Sequence, residues 1–129
     1  MVKKRSIDPS ESELYYHKSK EFLKVMHDCY ERRQWNGVGL NAVHCSISIS
    51  DALLAKAGIR NTSANHREAV KLLTQQFPGK ETQDKVKHLK KVIDYKNLVE
   101  YEGRLFTQKE SDTIILHTER FFTWVEEKL

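Results

Sequence analysis

Between Leu40 and Gly58 the chain reads LNAVHCSISISDALLAKAG, and its apolar and small residues fall on nearly every side of a helix. Ala42, Ser46, Ile49, Ser50, Leu53 and Ala57 follow helical spacing along one stripe, and Val43, Ile47 and Leu54 make a second. Small side chains on the first stripe let a neighbouring backbone come close. A helix from about Leu40 to Ala57 with two apolar faces cannot lie on a surface. It needs partners on both sides, from its own chain or from a second subunit, and that need places it at the centre of a helical bundle.

The segments around it carry helix signals of their own. Asp8-Pro9-Ser10-Glu11 combines an N-cap acid with a first-turn proline and opens a first helix, whose apolar stripe includes Tyr15, Phe22, Met26 and Cys29. Asn36, Gly37 and Gly39 supply breaker residues before the central helix, and Gly58 closes it. IRNTSAN then reads as a polar loop. Asn65 and Glu68 have capping-box spacing ahead of a short third helix with Val70, Leu73 and Phe77 on its stripe, ended by Pro78-Gly79. A fourth helix is expected from about Thr82 to Glu102, burying Val86, Leu89, Ile93 and one of Tyr95 or Val99. The fifth starts at the capping box Thr107-Gln108-Lys109-Glu110 and carries Ile114, Phe121, Val125 and Leu129. The expectation is an all-α, single-domain bundle of about five helices over residues 1–129, with no repeat or linker.

Charge and composition exclude more than they assign. The 22 basic and 18 acidic residues leave a formal net charge of +4, which permits nucleic-acid binding without requiring it. No apolar run follows the basic residues of MVKKRSIDPSES, and no uninterrupted run of 18 apolar residues occurs, so a signal peptide and a membrane span are not expected and a cytoplasmic location is. Cys29 and Cys45 lie inside apolar helical patterns and read as small buried hydrophobes. His44, His88 and His117 fall on separate expected helices without i, i+4 ligand pairing, and there is no P-loop or Gly-rich dinucleotide fingerprint, so neither metal nor cofactor is expected. Lys85, Lys87, His88, Lys90 and Lys91 give the fourth helix a basic sector, followed by Lys96 and Arg104. Such a run is ordinarily a solvated face, with phosphate contact as its functional alternative.

Two stretches together resemble the HEPN domain, the helical domain of prokaryotic and eukaryotic nucleotide-binding and ribonuclease proteins. One is LNAVHCSISISDALLAKAGIRNTSANHREAVKLL. The other is DYKNLVEYEGRLFTQKESDTIILHTERFFTWV, with Tyr101 near a helix end and HTERFFTWV similar to the family's last helix. The HEPN ribonuclease motif is an Arg, often followed by Asn, with a His four to six residues on. By resemblance Lys96 stands at the Arg position, Asn97 at the Asn position and Tyr101 at or near the His position. Both active residue types are thus exchanged. Cleavage beside a 2′-hydroxyl needs a group that exchanges protons near neutral pH, which His at ~6.5 does and Tyr at ~10 does not. Arg also grips phosphate with a planar fork where Lys offers a point charge.

The resemblance therefore implies a protein that binds RNA or a nucleotide through Lys96, Asn97 and Tyr101 without efficient cleavage. It further implies a homodimer, and a nucleotidyltransferase-type partner if the chain is the toxin of a toxin–antitoxin pair. Two alternatives stand beside it. Arg60 and His66, separated by NTSAN, match the ribonuclease spacing literally but bracket the loop between the second and third helices, and would make the chain a metal-independent ribonuclease. A structural homodimer without ligand is the other, in which Lys96 and Glu100 are only a surface pair four residues apart.

Overall fold

The computed structural model describes residues 4–129, so the start of the amino-terminal basic stretch lies outside it. Among the described residues the fold is an all-α bundle: α1 (Ser12–Glu31), α2 (Trp35–Lys56), α3 (Glu68–Gln76), α4 (Lys80–Asp94), α5 (Lys96–Tyr101) and α6 (Gln108–Lys128). A pair of three-residue strands, β1 (Lys4–Ser6) and β2 (Ile59–Asn61), is appended at one end.

The entry to α1 is built as its sequence suggests. Ser10 N donates to the Asp8 side chain at 3.0 Å, and Pro9 opens a single 3-10 turn that runs into the helix. The turn between α1 and α2 is made elsewhere than expected. Arg33 takes the left-handed conformation, with φ 57°, and α2 starts at Trp35, which puts Gly37 and Gly39 inside its first turns. These glycines permit close approach; they do not break the helix. A Cβ on Gly37 would lie 2.6 Å from Cys29 Sγ, and one on Gly39 2.8 Å from Val99 Cγ2 and 3.2 Å from the Phe106 ring.

Both faces of α2 are covered by the chain itself. Ala42, Ser46, Ile49, Ser50 and Leu53 are buried on one stripe and Val43 and Leu54 on the other, whereas Ala57 lies just past the helix end and is exposed. α1 packs along one side and α6 along another, with α3, α4 and α5 closing the rest. Ile49, Leu53 and Leu54 are fully buried, each contributing about 1.5–3 kcal/mol relative to exposure. Trp35–Lys56 is long and apolar enough to cross a membrane by length and composition, and 72% of its most apolar window is buried inside the bundle.

Three further expectations are corrected. The stretch IRNTSAN is not all loop, because Ile59–Asn61 pairs antiparallel with Lys4–Ser6, setting Arg5 opposite Arg60. Strands this short are below the length at which alternation can be read. The Asn65–Glu68 capping box does not form. Asn65 Oδ1 instead accepts from Arg67 N at 3.0 Å, closing a turn that makes Glu68 the first helical residue and not the third. The long fourth helix is broken at Tyr95, whose N–H bonds back to Val92 O in a tightened turn and whose ring meets Phe106 edge-on at 5.6 Å. Beyond the break, Val99 of α5 lies against Gly39 of α2. The Thr107–Glu110 capping box forms in full, and Arg104 binds Glu110 through both terminal guanidinium nitrogens, at 2.7 and 3.0 Å. With that hydrogen bonding the Glu110 carboxyl is held down at about 2.

Candidate functional site

The end of the bundle carrying β2, the turn before α3 and the start of α5 gathers most of the polar residues singled out in the sequence. Arg60 projects from β2, stacks over the Tyr15 ring with 4.9 Å from guanidinium to centroid, and pairs with Asp51 of α2 at 2.9 Å. Asp51 is the one carboxylate in Trp35–Lys56, and its side chain is only 14% exposed. Burial raises its pKa, and Arg60 pulls it back down. Arg5, directly across the ladder from Arg60, lines the same cavity of roughly 410 Å³ together with Asp51 and His66.

His66 sits in the turn ahead of α3, half-buried. It also lines a second, smaller cavity of roughly 160 Å³, whose other walls include Arg67, Asp94, Lys96 and Asn97. The two pairs that the sequence sets up as rivals, Arg60 with His66 and Lys96 with Asn97, are therefore neighbours around one imidazole. Burial, then the charge of Lys96, lowers the His66 pKa, while Asp51 and Glu100 act in the opposite sense. The neutral ring is favoured near neutral pH, as a proton acceptor requires.

Lys96 opens α5 and donates to Glu100 at 2.9 Å, with the two side chains 22% and 19% exposed. That hydrogen bond raises the Lys96 pKa and lowers that of Glu100. Tyr101 adjoins the group from its exposed side and favours the charged forms of Lys96 and Glu100. Its ring lies 5.3 Å from Lys96 Nζ, the residue is 74% exposed, and it lines neither cavity. Lys96 and Asn97 thus join the groove, and Tyr101 stands beside it.

Arg5, Asp51, Arg67 and Asp94 belong to the site and were not singled out in the sequence, where Glu100 was named only as a pairing partner for Lys96, a pair that forms. Asp51 alone left a signal there, as a lone carboxylate in an apolar helix. Arg67 and Asp94 form an ion pair at 2.5 Å.

The other basic residues lie apart from this groove. Lys87 pairs with Asp84 at 3.8 Å and Arg104 with Glu110 at 2.7 Å, and neither lines the two cavities. A larger cavity of roughly 480 Å³ between α4 and α6 is lined by Glu81, Glu119 and Glu127 against Lys85 and Arg120. Carboxylates outnumber cations there, which disfavours phosphate. His88 and His117, expected on separate helices, are brought into contact at 2.9 Å. Among the described residues no group of three or more His, Cys, Asp or Glu gathers to hold a metal ion. Both cysteines are free thiols, Cys45 buried with its pKa pushed up to about 12. Comparison with protein-family models, with curated proteins and with solved structures returned no match.

Proposed function

We propose that this chain is a HEPN-like protein that binds RNA or a phosphate-bearing nucleotide in the groove around His66. The observation that carries the reading is the shared position of His66, with Arg5 and Arg60 on one side and Lys96 and Asn97 on the other. Arg60 offers a planar fork suited to two phosphate oxygens, and Lys96 a point charge. Asn97 adds a side-chain amide. Arg60 and Lys96 each now hold a carboxylate, so an incoming phosphate takes the place of Asp51 on Arg60 or of Glu100 on Lys96.

A second reading, metal-independent RNA cleavage, is favoured by the state of His66. Its depressed pKa leaves the imidazole free to accept the proton of a 2′-hydroxyl, the task that Tyr101 cannot perform. The homodimer and the nucleotidyltransferase-type partner are implied by the HEPN resemblance. The two apolar faces of α2 add nothing to the dimer reading, since both are covered within the chain.

The test is fluorescence anisotropy with a labelled single-stranded RNA and, in parallel, a labelled adenine nucleotide, over a series of salt concentrations. Binding should weaken with salt. Arg60→Ala and Lys96→Ala should each lower affinity and flatten the slope of log K against log salt by about 0.7 for each phosphate no longer neutralised. Binding that is absent, or unaffected by either variant, overturns the proposal. Incubation of the same RNA then separates the two readings: cleavage abolished by His66→Ala selects catalysis, and intact RNA selects binding alone.

A further inference from the structure

His88 of α4 and His117 of α6 meet through their Nδ1 atoms at 2.9 Å. The ring centroids are 5.1 Å apart, so the two rings lie nearly end to end along the line joining the nitrogens, and each Nδ1 points at the other. A hydrogen bond between two Nδ1 atoms requires one of them to carry the proton and the other to present its lone pair. Rings chelating a metal ion would instead converge on a point off that line, about 2.0–2.1 Å from each nitrogen. The end-on arrangement is that of a shared proton.

We infer that His88 and His117 form a shared-proton latch between α4 and α6 that opens when the second ring is protonated. With both rings neutral, or with one charged, a single Nδ1–H bridges the helices. With both charged, each Nδ1 carries a proton, the bridge has no acceptor, and two cations face each other at close range.

The surroundings work in the same direction. Lys85 on α4 and Arg120 on α6 act on His88, and Lys91 and Arg120 act on His117, all disfavouring the charged rings. Three carboxylates of α4 and α6 are engaged elsewhere. Glu119 faces His27 of α1 at 3.3 Å, Asp84 pairs with Lys87, and Glu81 accepts from Trp124 Nε1 at 2.7 Å. On α2, His44 stacks on Phe22, Asp51 pairs with Arg60, Lys56 bonds the carbonyls of Lys128 and Leu129, and Cys45 stays a buried thiol. Burial, the largest influence on both rings, lowers both pKa values below 6.5. The unfolded chain therefore takes up protons first as pH falls, and the stability held by the latch is present above about 6.5 and is lost on acidification.

The latch is independent of any ligand, and the experiment uses the free protein. Long-range proton–nitrogen NMR of the imidazoles across pH 8 to 4.5 should show one ring protonated on Nδ1 at neutral pH. The pair should also titrate in two separated steps, the second well below the ordinary ~6.5. His117→Gln should return His88 to a single step closer to that value, and the double variant His88→Gln/His117→Gln should lose less of its melting temperature between pH 7.5 and 5.5 than the wild type. Two rings titrating independently, each unmoved by replacement of the other, overturn the latch. So does a wild type and double variant with the same pH dependence, or a zinc-induced rise in melting temperature that the double variant lacks.

Discussion

Arg5 and Arg60 stand directly opposite each other across the β1–β2 ladder and line one cavity. Like charges at opposed positions on neighbouring strands work against the pairing. Asp51 offsets Arg60, and no ion pair of 4 Å or less holds Arg5 among the described residues. The arrangement favours an added anion. Inorganic phosphate should raise the melting temperature by about 5 °C when present at ten times its dissociation constant. Arg5→Ala should weaken that response, and an equal rise in the variant would remove Arg5 from the site.

Glu100 is the second internal competitor, held on Lys96 at 2.9 Å. Glu100→Gln keeps the side chain's size and removes its charge, freeing Lys96 for phosphate. RNA affinity should rise about 2–5-fold, the scale of a partly exposed ion pair of ~0.5–1 kcal/mol. The comparison is a binding titration of the variant beside the wild type at equal salt, and unchanged affinity would separate Lys96 from the ligand.

Gly39 lets α5 lie against α2. A methyl there meets Val99 Cγ2 at 2.8 Å and Phe106 at 3.2 Å, so Gly39→Ala should destabilise the fold by about 1–3 kcal/mol in urea unfolding through overpacking. Val99→Ala in the same chain should recover part of that loss. Recovery would identify the clash, and a neutral Gly39→Ala would show that α5 gives way freely.

The central helix, the α1 entry and the α6 capping box were legible because each depends on residues close in sequence: a stripe, a cap, a first-turn proline. The misreadings have a common physical origin in contacts made at long range. Gly37 and Gly39 read as breakers until Cys29 and Val99 are seen against them. Tyr95 reads as mid-helix until Phe106 packs on its ring. The site suffered in the same way. Arg60, His66, Lys96 and Asn97 were each identified, yet their union depends on the turn at Tyr95 and on the short ladder, neither of which has a local pattern.

Asp51 connects the stability of that end of the bundle to its chemistry. Its carboxylate is nearly buried, faces Arg60 at 2.9 Å and favours the charged form of His66. Asp51→Asn should leave the Arg60 guanidinium without its counter-charge and cost about 1–3 kcal/mol in urea unfolding, below the ~3–5 kcal/mol of a fully buried broken pair because Arg60 remains 29% exposed. The same substitution should lower the His66 pKa further, since an anion that stabilises the imidazolium is gone. It should also tighten phosphate binding, because Arg60 no longer has an internal competitor. Proton NMR of His66 across pH 5 to 8, beside a phosphate titration of the same sample, tests both consequences. A variant that is merely less stable, with His66 titrating as before and phosphate bound no more tightly, would reduce Asp51 to an anchor for β2 and break the electrostatic link between the two cavities.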